Sequence, residues 1–106
     1  MDLMDRALSM LGIAAKSGNV VSGEFSTEKA VKTGKAFLVI VAGDSSDNTK
    51  KHFSDMTDFY EVPIYFYSDK VSLGNAIGKE FRASLAVTDE NLANAVIKKL
   101  QPNKTE

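Results

Sequence analysis

Residues 21–44 read VSGEFSTEKAVKTGKAFLVIVAGD, a lysine-bearing helix that runs into a wholly apolar strand. Ser22 is placed to cap the helix, which carries Lys29 and Lys32 and ends at Thr33-Gly34, a glycine suited to the position after a helix; Lys35 follows. Positions 37–42 are apolar without a break, as in a central strand covered on both faces. The helix opens on Ser22-Gly23, a cap followed by a residue with no side chain. Such an opening presents backbone N–H groups and a cationic surface to a negatively charged partner. Taken alone the pattern is weak, because most lysine-rich helices of this kind are simply solvated.

Outward from this stretch, Leu3, Met4, Ala7, Leu8, Leu11, Ala14 and Ala15 recur at helical spacing and predict a first helix over 3–16. Ser17-Gly18-Asn19 stops it, and Val20-Val21 is a short extended piece. Downstream, Ser45 or Ser46 caps a third helix whose inner stripe is Phe53, Met56 and Phe59 or Tyr60. Pro63 opens a strand over 64–67. Ser68 is the expected cap of a fourth helix, with Asp69 in its first turn, Leu73, Ala76 and Ile77 inside, and Gly78 at its end. A loop over 79–82 leads into a strand at 83–87. Thr88 then caps the last helix, with Asp89 and Glu90 in its first turn and Lys98 and Lys99 in its last. Residues 101–106 read as a frayed polar tail, leaving 1–100 as a single domain. The alternation predicts an α/β fold, a sheet at least partly parallel between helical layers. In open sheets of this kind ligands collect where loops meet helix N-termini. The start of the second helix and the 79–82 loop are therefore expected at one rim.

The chain has 106 residues and no cysteine, which removes disulfides, thiolate metal sites and a cysteine nucleophile. No apolar run approaches the ~20 residues that span a bilayer. The start, Met1-Asp2-Leu3-Met4-Asp5, is acidic where a secretory signal would be basic. A cytoplasmic protein without membrane contact is expected. The net charge of −1 and pI near 5.8 oppose nucleic-acid binding, but the charges are segregated. Lys16, Lys29, Lys32 and Lys35 face only Glu24 and Glu28, and Lys70, Lys79 and Arg82 face only Glu80. Asp44, Asp47, Asp55, Asp58 and Glu61 outnumber Lys50 and Lys51. A near-neutral chain can thus carry one basic face.

Catalytic chemistry finds no support. His52 is the only histidine and has no matched acid or nucleophile in the sequence. The carboxylates of 44–58 read as a solvated face rather than as ligands. Neither a phosphate-cradling glycine loop nor a G-x-S-x-G elbow occurs. No enzyme activity, cofactor or metal is expected. Phe37, Phe53, Phe59, Tyr60, Tyr65, Phe66 and Tyr67 fall where core or half-buried positions are expected. Phe25 and Phe81 lie instead beside the basic segments, more often lids over the core edge than stacking surfaces for a base.

Several segments together, LGIAAKSGNVVSG, EKAVKTGKAFLVIVAGDSSDNTKKHF, VPIYFY and LGNAIGKEFRASLAVTDE, carry a resemblance over about residues 11–100. In these and in element order the chain resembles the YlxQ-type proteins. These are the small bacterial branch of the kink-turn RNA-binding ribosomal protein superfamily, which includes the large-subunit proteins called seven-Ae and thirty-e. The resemblance implies a three-layer α/β/α sandwich with a small mixed sheet, and RNA binding without catalysis. In that superfamily the RNA is gripped by a G-x-N-E-x-x-K segment opening the second helix and by the loop before the last strand. Here Gly23 and Lys29 match, while Phe25 stands for the asparagine and Ser26 for the glutamate. Asn19 occupies a place often held by lysine.

The family's asparagine–glutamate pair reads base edges of tandem sheared G·A pairs; phenylalanine cannot, and serine reaches less far. The resemblance therefore implies structured RNA, kink-turn-like or ribosomal, held largely through phosphates. Gly23, Lys29, Lys32, Lys79 and Arg82 would meet the backbone, with Glu24, Phe25, Ser26, Glu80 and Phe81 lining the site. The alternatives are a protein-interaction module that kept the fold and lost the RNA site, with ribosome-associated proteins as its expected partners, and a small-molecule sensor at the same rim, which the missing glycine loop disfavours.

Overall fold

A computed structural model of the protein describes residues 5–101. Its elements are α1 (Arg6–Lys16), β1 (Val20–Ser22), α2 (Glu24–Lys32), β2 (Leu38–Val41), α3 (Asp47–Tyr60), β3 (Ile64–Phe66), α4 (Lys70–Ala76), β4 (Ser84–Val87) and α5 (Glu90–Leu100). The strands form one sheet in the order β1-β4-β2-β3. β2 and β3 are parallel, whereas β4 runs antiparallel to both β1 and β2. The expected mixed sheet is therefore present.

The unbroken apolar runs mark the two inner strands. Every residue of β2 and β4 is buried, whereas edge strands β1 and β3 are only half-covered or exposed. Alternation along the inner strands divides the core in two. Leu38, Ile40, Leu85 and Val87 face a layer built by Leu11 of α1, Leu73 of α4, and Ala93 and Val96 of α5. Val39, Val41 and Ala86 face the other, with Ala30 and Val31 of α2 and Phe53 and Met56 of α3. The result is a sheet between a three-helix and a two-helix layer, the sandwich that the resemblance implies. No helix among the described residues is long and apolar enough to cross a membrane.

The structure decides between the two caps offered for α3 and moves the starts of α1, α4 and α5 beyond the expected residues. α1 begins at Arg6, capped by Asp5, whose carboxylate accepts the Leu8 N–H at 3.0 Å; Leu3 and Met4 lie outside the described residues. Ser46 rather than Ser45 caps α3, and the buried Ser45 hydroxyl donates to the Ala83 carbonyl. Asp69, not Ser68, caps α4, and Asp89, not Thr88, caps α5. In both pairs the carboxylate is the group that receives the N–H three residues on, from Ser72 and Leu92. Gln101 caps the end of α5 and its side-chain amide donates to the Tyr65 hydroxyl; 102–106 lie outside the described residues.

The aromatic expectations need correction too. Phe53 is fully buried, but Phe37, Phe59, Tyr60 and Phe66 are exposed. Thr57 takes the place on the inner stripe expected of Phe59 or Tyr60; its hydroxyl is satisfied by the Phe53 carbonyl at 2.7 Å. Phe59 and Tyr60 stack edge-to-face at the end of α3. Phe66 is exposed because β3 is an edge strand.

Candidate nucleic-acid interface

Ser22 does not cap α2. It remains in β1 opposite Leu85, and the cap is Gly23, at φ 92 and ψ 159, with no side-chain hydrogen bond to the helix. Only glycine takes that φ without strain. A Cβ built on Gly23 would meet nothing within 4 Å, so the backbone here is open to an approaching group. The Gly23 N–H donates to the Ser84 carbonyl at 3.0 Å and its own carbonyl accepts the Thr27 N–H. Among the described residues no side chain caps the first-turn amides of α2, which carry the positive end of the helix dipole.

The 79–82 loop is held against α4 by its backbone. The Lys79 N–H donates to the Gly74 carbonyl at 2.8 Å and the Arg82 N–H to the Lys70 carbonyl at 2.9 Å. Gly74 is buried, and a Cβ there would lie 2.4 Å from the Phe81 Cα and 2.6 Å from its nitrogen. The loop seats only because position 74 has no side chain. Arg82, half-buried, then reaches across: its Nε donates to the Ser22 hydroxyl at 2.9 Å and Nη1 to the Phe81 carbonyl at 2.7 Å. Two of five guanidinium N–H donors are used, which leaves the charge pointed but not neutralised. The start of α2 and the loop thus share one rim.

Around that rim, Glu24, Phe25, Lys29, Lys79, Glu80 and Phe81 are exposed and Ser26 is half-buried. Phe25 is 78% exposed and Phe81 57%, so neither is a lid over the core. Among the described residues Lys29, Lys79 and Arg82 form no ion pair. Lys32 behaves otherwise. Its Nζ lies 2.7 Å from Glu28 Oε2, and it stands two helical turns beyond the start of α2. The Lys32 hydrogen bond, then that of His52, holds the Glu28 carboxyl below its ordinary range; Glu28 in turn raises the Lys32 ammonium.

His52 is not without an acid neighbour: its Nε2 lies 3.1 Å from Glu28 Oε1 and ties α3 to α2. With Glu24 these side chains bring three potential metal ligands within 4.8 Å of one another. Both oxygens of Glu28 already have partners, and the group is accounted for as an ion-pair network between the helices. Gly74 and Ser22 are the positioning residues that pattern reading misses. A glycine inside a helix carries no local sign of the backbone that will approach it.

Residues 5–97 match the model of the ribosomal protein L7Ae/L30e/S12e/Gadd45 family. The chain is 40% identical over 88 residues to the RNA-binding protein YlxQ of Bacillus subtilis (strain 168), a span of 83% of this chain and 88% of that one. Among solved structures, a protein of unknown function from Bacillus halodurans C superposes with a TM-score of 0.89 at 32% identity, covering 92% of this chain and 98% of the other. The Giardia lamblia 15.5kD RNA binding protein superposes with a TM-score of 0.76 at 25% identity, over 92% and 83% of the two chains. The family and the two functionally named relatives carry the descriptions of ribosomal and RNA-binding proteins, not of enzymes, in line with the expectation of a non-catalytic chain.

Proposed function

The chain belongs to the ribosomal protein L7Ae/L30e/S12e/Gadd45 family, and from that premise we propose that it binds structured RNA, kink-turn-like or ribosomal, through the start of α2 and the 79–82 loop. The observation that carries the proposal is the hydrogen bond from Arg82 to Ser22. It joins the two segments into one surface with an open helix start at its centre.

Each group has a role there. Lys29, Lys79 and Arg82 attract phosphates, the bare Gly23 lets a backbone come close, and Phe25 and Ser26 occupy the middle. Glu24, Glu80 and Phe81 border it. Lys32 is peripheral, since its charge is already met by Glu28. Phosphate contacts give affinity and orientation but little sequence choice. With phenylalanine and serine at the centre, selectivity for a kink-turn is lower than an asparagine–glutamate pair would give.

The test is a salt series on a labelled kink-turn RNA and a plain duplex of equal length. Measurable binding to RNA with a steep salt slope is expected, and a modest preference for the kinked form. Absence of binding to both at low salt would refute the proposal. One observation favours a second reading: two phenylalanines stand exposed at the rim, as anchors for a protein partner would. Co-purification from lysate with and without ribonuclease separates the two, because only an RNA-bridged association is lost on digestion.

A further inference from the structure

Strand β3 ends the sheet on the side away from β1 and the RNA rim, so one side of its backbone meets no other strand. The ladder fixes which groups lie there. The Val39 N–H donates to the Pro63 carbonyl at 2.9 Å and the Tyr67 N–H to the Val41 carbonyl at 3.0 Å, so positions 63, 65 and 67 turn their backbone groups to β2. Ile64 and Phe66 turn theirs outward, and those N–H and C=O groups have no hydrogen-bond partner among the described residues. Soluble proteins blunt such an edge with charge, a bulge or a covering element. Residues 62–67, VPIYFY, carry no charge, and Pro63 takes its missing N–H from the inner row. Phe66 is 47% exposed. By alternation it shares with Ile64 the face of the sheet that α3 covers. On that face, beside the start of β3, a cleft of about 680 Å³ is lined by Asp55, Asp58, Glu61, Val62, Pro63 and Ile64. Asp55 pairs with Lys51 at 3.0 Å, whereas Asp58 and Glu61 are exposed and form no ion pair among the described residues.

We propose that the β3 edge binds an extended, basic segment of a partner protein as an added antiparallel strand. Ile64 and Phe66 would each exchange both backbone bonds with the residue opposite, which gives the segment its affinity and register. Residues opposite one another point to the same face, so the segment's alternate side chains fall on the α3 side. The one opposite Phe66 is apolar and covers the ring. The one opposite Ile64, and the next toward Val62, is lysine or arginine, its stem on Ile64 and its charge at Asp58 and Glu61. Charge selects this occupant over a second copy of the chain. A two-fold pairing of β3 with itself would keep both α3 helices on one side of the joined sheet and bring their unpaired Asp58 and Glu61 together. The site lies across the sheet from β1, so its occupation neither needs nor blocks the RNA rim.

The test titrates the full chain, free of RNA, into a fluorescein-labelled Thr-Val-Thr-Lys-Thr-Arg-Thr peptide and follows anisotropy. The counterpart with glutamate for its lysine and arginine should bind about tenfold more weakly, and Asp58→Asn with Glu61→Gln should erase that difference. N-methylation reads the register. Methyl groups on the valine and lysine nitrogens remove the donors to Phe66 and Ile64 and should weaken binding about tenfold, whereas methyl groups on the two threonines between the valine and the arginine face away and should change it by less than about twofold. Amide exchange at Ile64 and Phe66 should slow when the peptide is added. Equal losses from the two methylation patterns would reduce the contact to charge alone and overturn the added strand. Equal binding of the basic and acidic peptides would overturn the basic partner. Protection of Ile64 and Phe66 that grows with protein concentration, without peptide, would give the edge to a second copy. Failure of the peptide to bind at millimolar concentration would overturn the proposal outright.

Discussion

Replacing Gly74 with alanine sets two effects of opposite sign against each other. In a helix interior the exchange gains roughly 1 kcal/mol of propensity. At this site, however, the new Cβ would stand 2.4 Å from Phe81 Cα, 2.6 Å from its nitrogen and 2.9 Å from the Glu80 carbonyl carbon. Ordinary contacts begin near 3.4 Å, so the loop backbone must withdraw by roughly 1 Å. Overpacking against groups that cannot rotate away costs about 1–3 kcal/mol, and three backbone contacts put this case near or beyond the upper end. The net expectation is a destabilisation of about 2 kcal/mol. With a urea m-value of ~1–3 kcal/mol/M, the unfolding midpoint should fall by roughly 1 M at unchanged m. The same withdrawal pulls Arg82 from Ser22, so RNA affinity should fall in the fraction that remains folded. A Gly74→Ala protein as stable as its parent, or more so, would show that the loop is not seated on α4 as described.

Further outcomes follow from the caps, the charges and the core. Asp69→Ala and Asp89→Ala should each cost about 1 kcal/mol in urea unfolding, and Ser68→Ala and Thr88→Ala much less; the reverse ranking would restore the caps expected from sequence. Lys29→Ala with Lys79→Ala should reduce the salt slope of RNA binding by one to two units at unchanged stability, whereas Lys98→Ala with Lys99→Ala should leave it alone. Phe53→Ala should destabilise by about 3–5 kcal/mol, visible as a large loss of the thermal midpoint. Glu28 has a lowered carboxyl pKa, so its contribution is complete above the ordinary carboxylate range and is lost as pH falls through the lowered value. Lys32, raised, contributes below the ordinary lysine range and loses its part as pH rises through the raised value. Glu28→Gln should flatten stability in both windows, and parallel pH–stability curves for the two proteins would contradict the pairing.

The strongest sequence signals were those set by burial. A short apolar run bounded by turn residues fits an inner strand, and that reading of 37–42 holds for 38–41, with Phe37 exposed just before the strand. For α4 and α5 the cap was legible to within one residue, because serine or threonine followed by aspartate offers two acceptors and only geometry decides between them. Exposed aromatics were not legible, since hydrophobicity does not say that β3 lies at an edge or that α3 outruns its contact with the sheet. At the candidate rim the charged residues could be named from sequence. What could not be named was the mechanism that unites them, a glycine inside one helix and a serine hydroxyl in a strand. Both act through contacts with residues distant in the chain: 74 with 81, and 22 with 82. The pairing of Lys32 with Glu28, one turn before it, is itself readable from their spacing of four.

The placement of β4 has a consequence for how the protein comes into being. The last strand to be synthesised is an inner one, inserted between β1, over sixty residues earlier, and β2. Until it arrives, β1 has no partner and β2 is open along one side, so neither half of the core can close on a growing chain. The rim is equally late, because Gly23 waits for the Ser84 carbonyl and Ser22 for the Arg82 guanidinium. A nascent chain therefore offers no finished surface to the RNA around it, and competence arrives in one step once residues 82–87 are free to fold. A fragment ending at residue 78 should accordingly show no cooperative unfolding transition; a sharp one would mean that the sheet can be completed without its central strand.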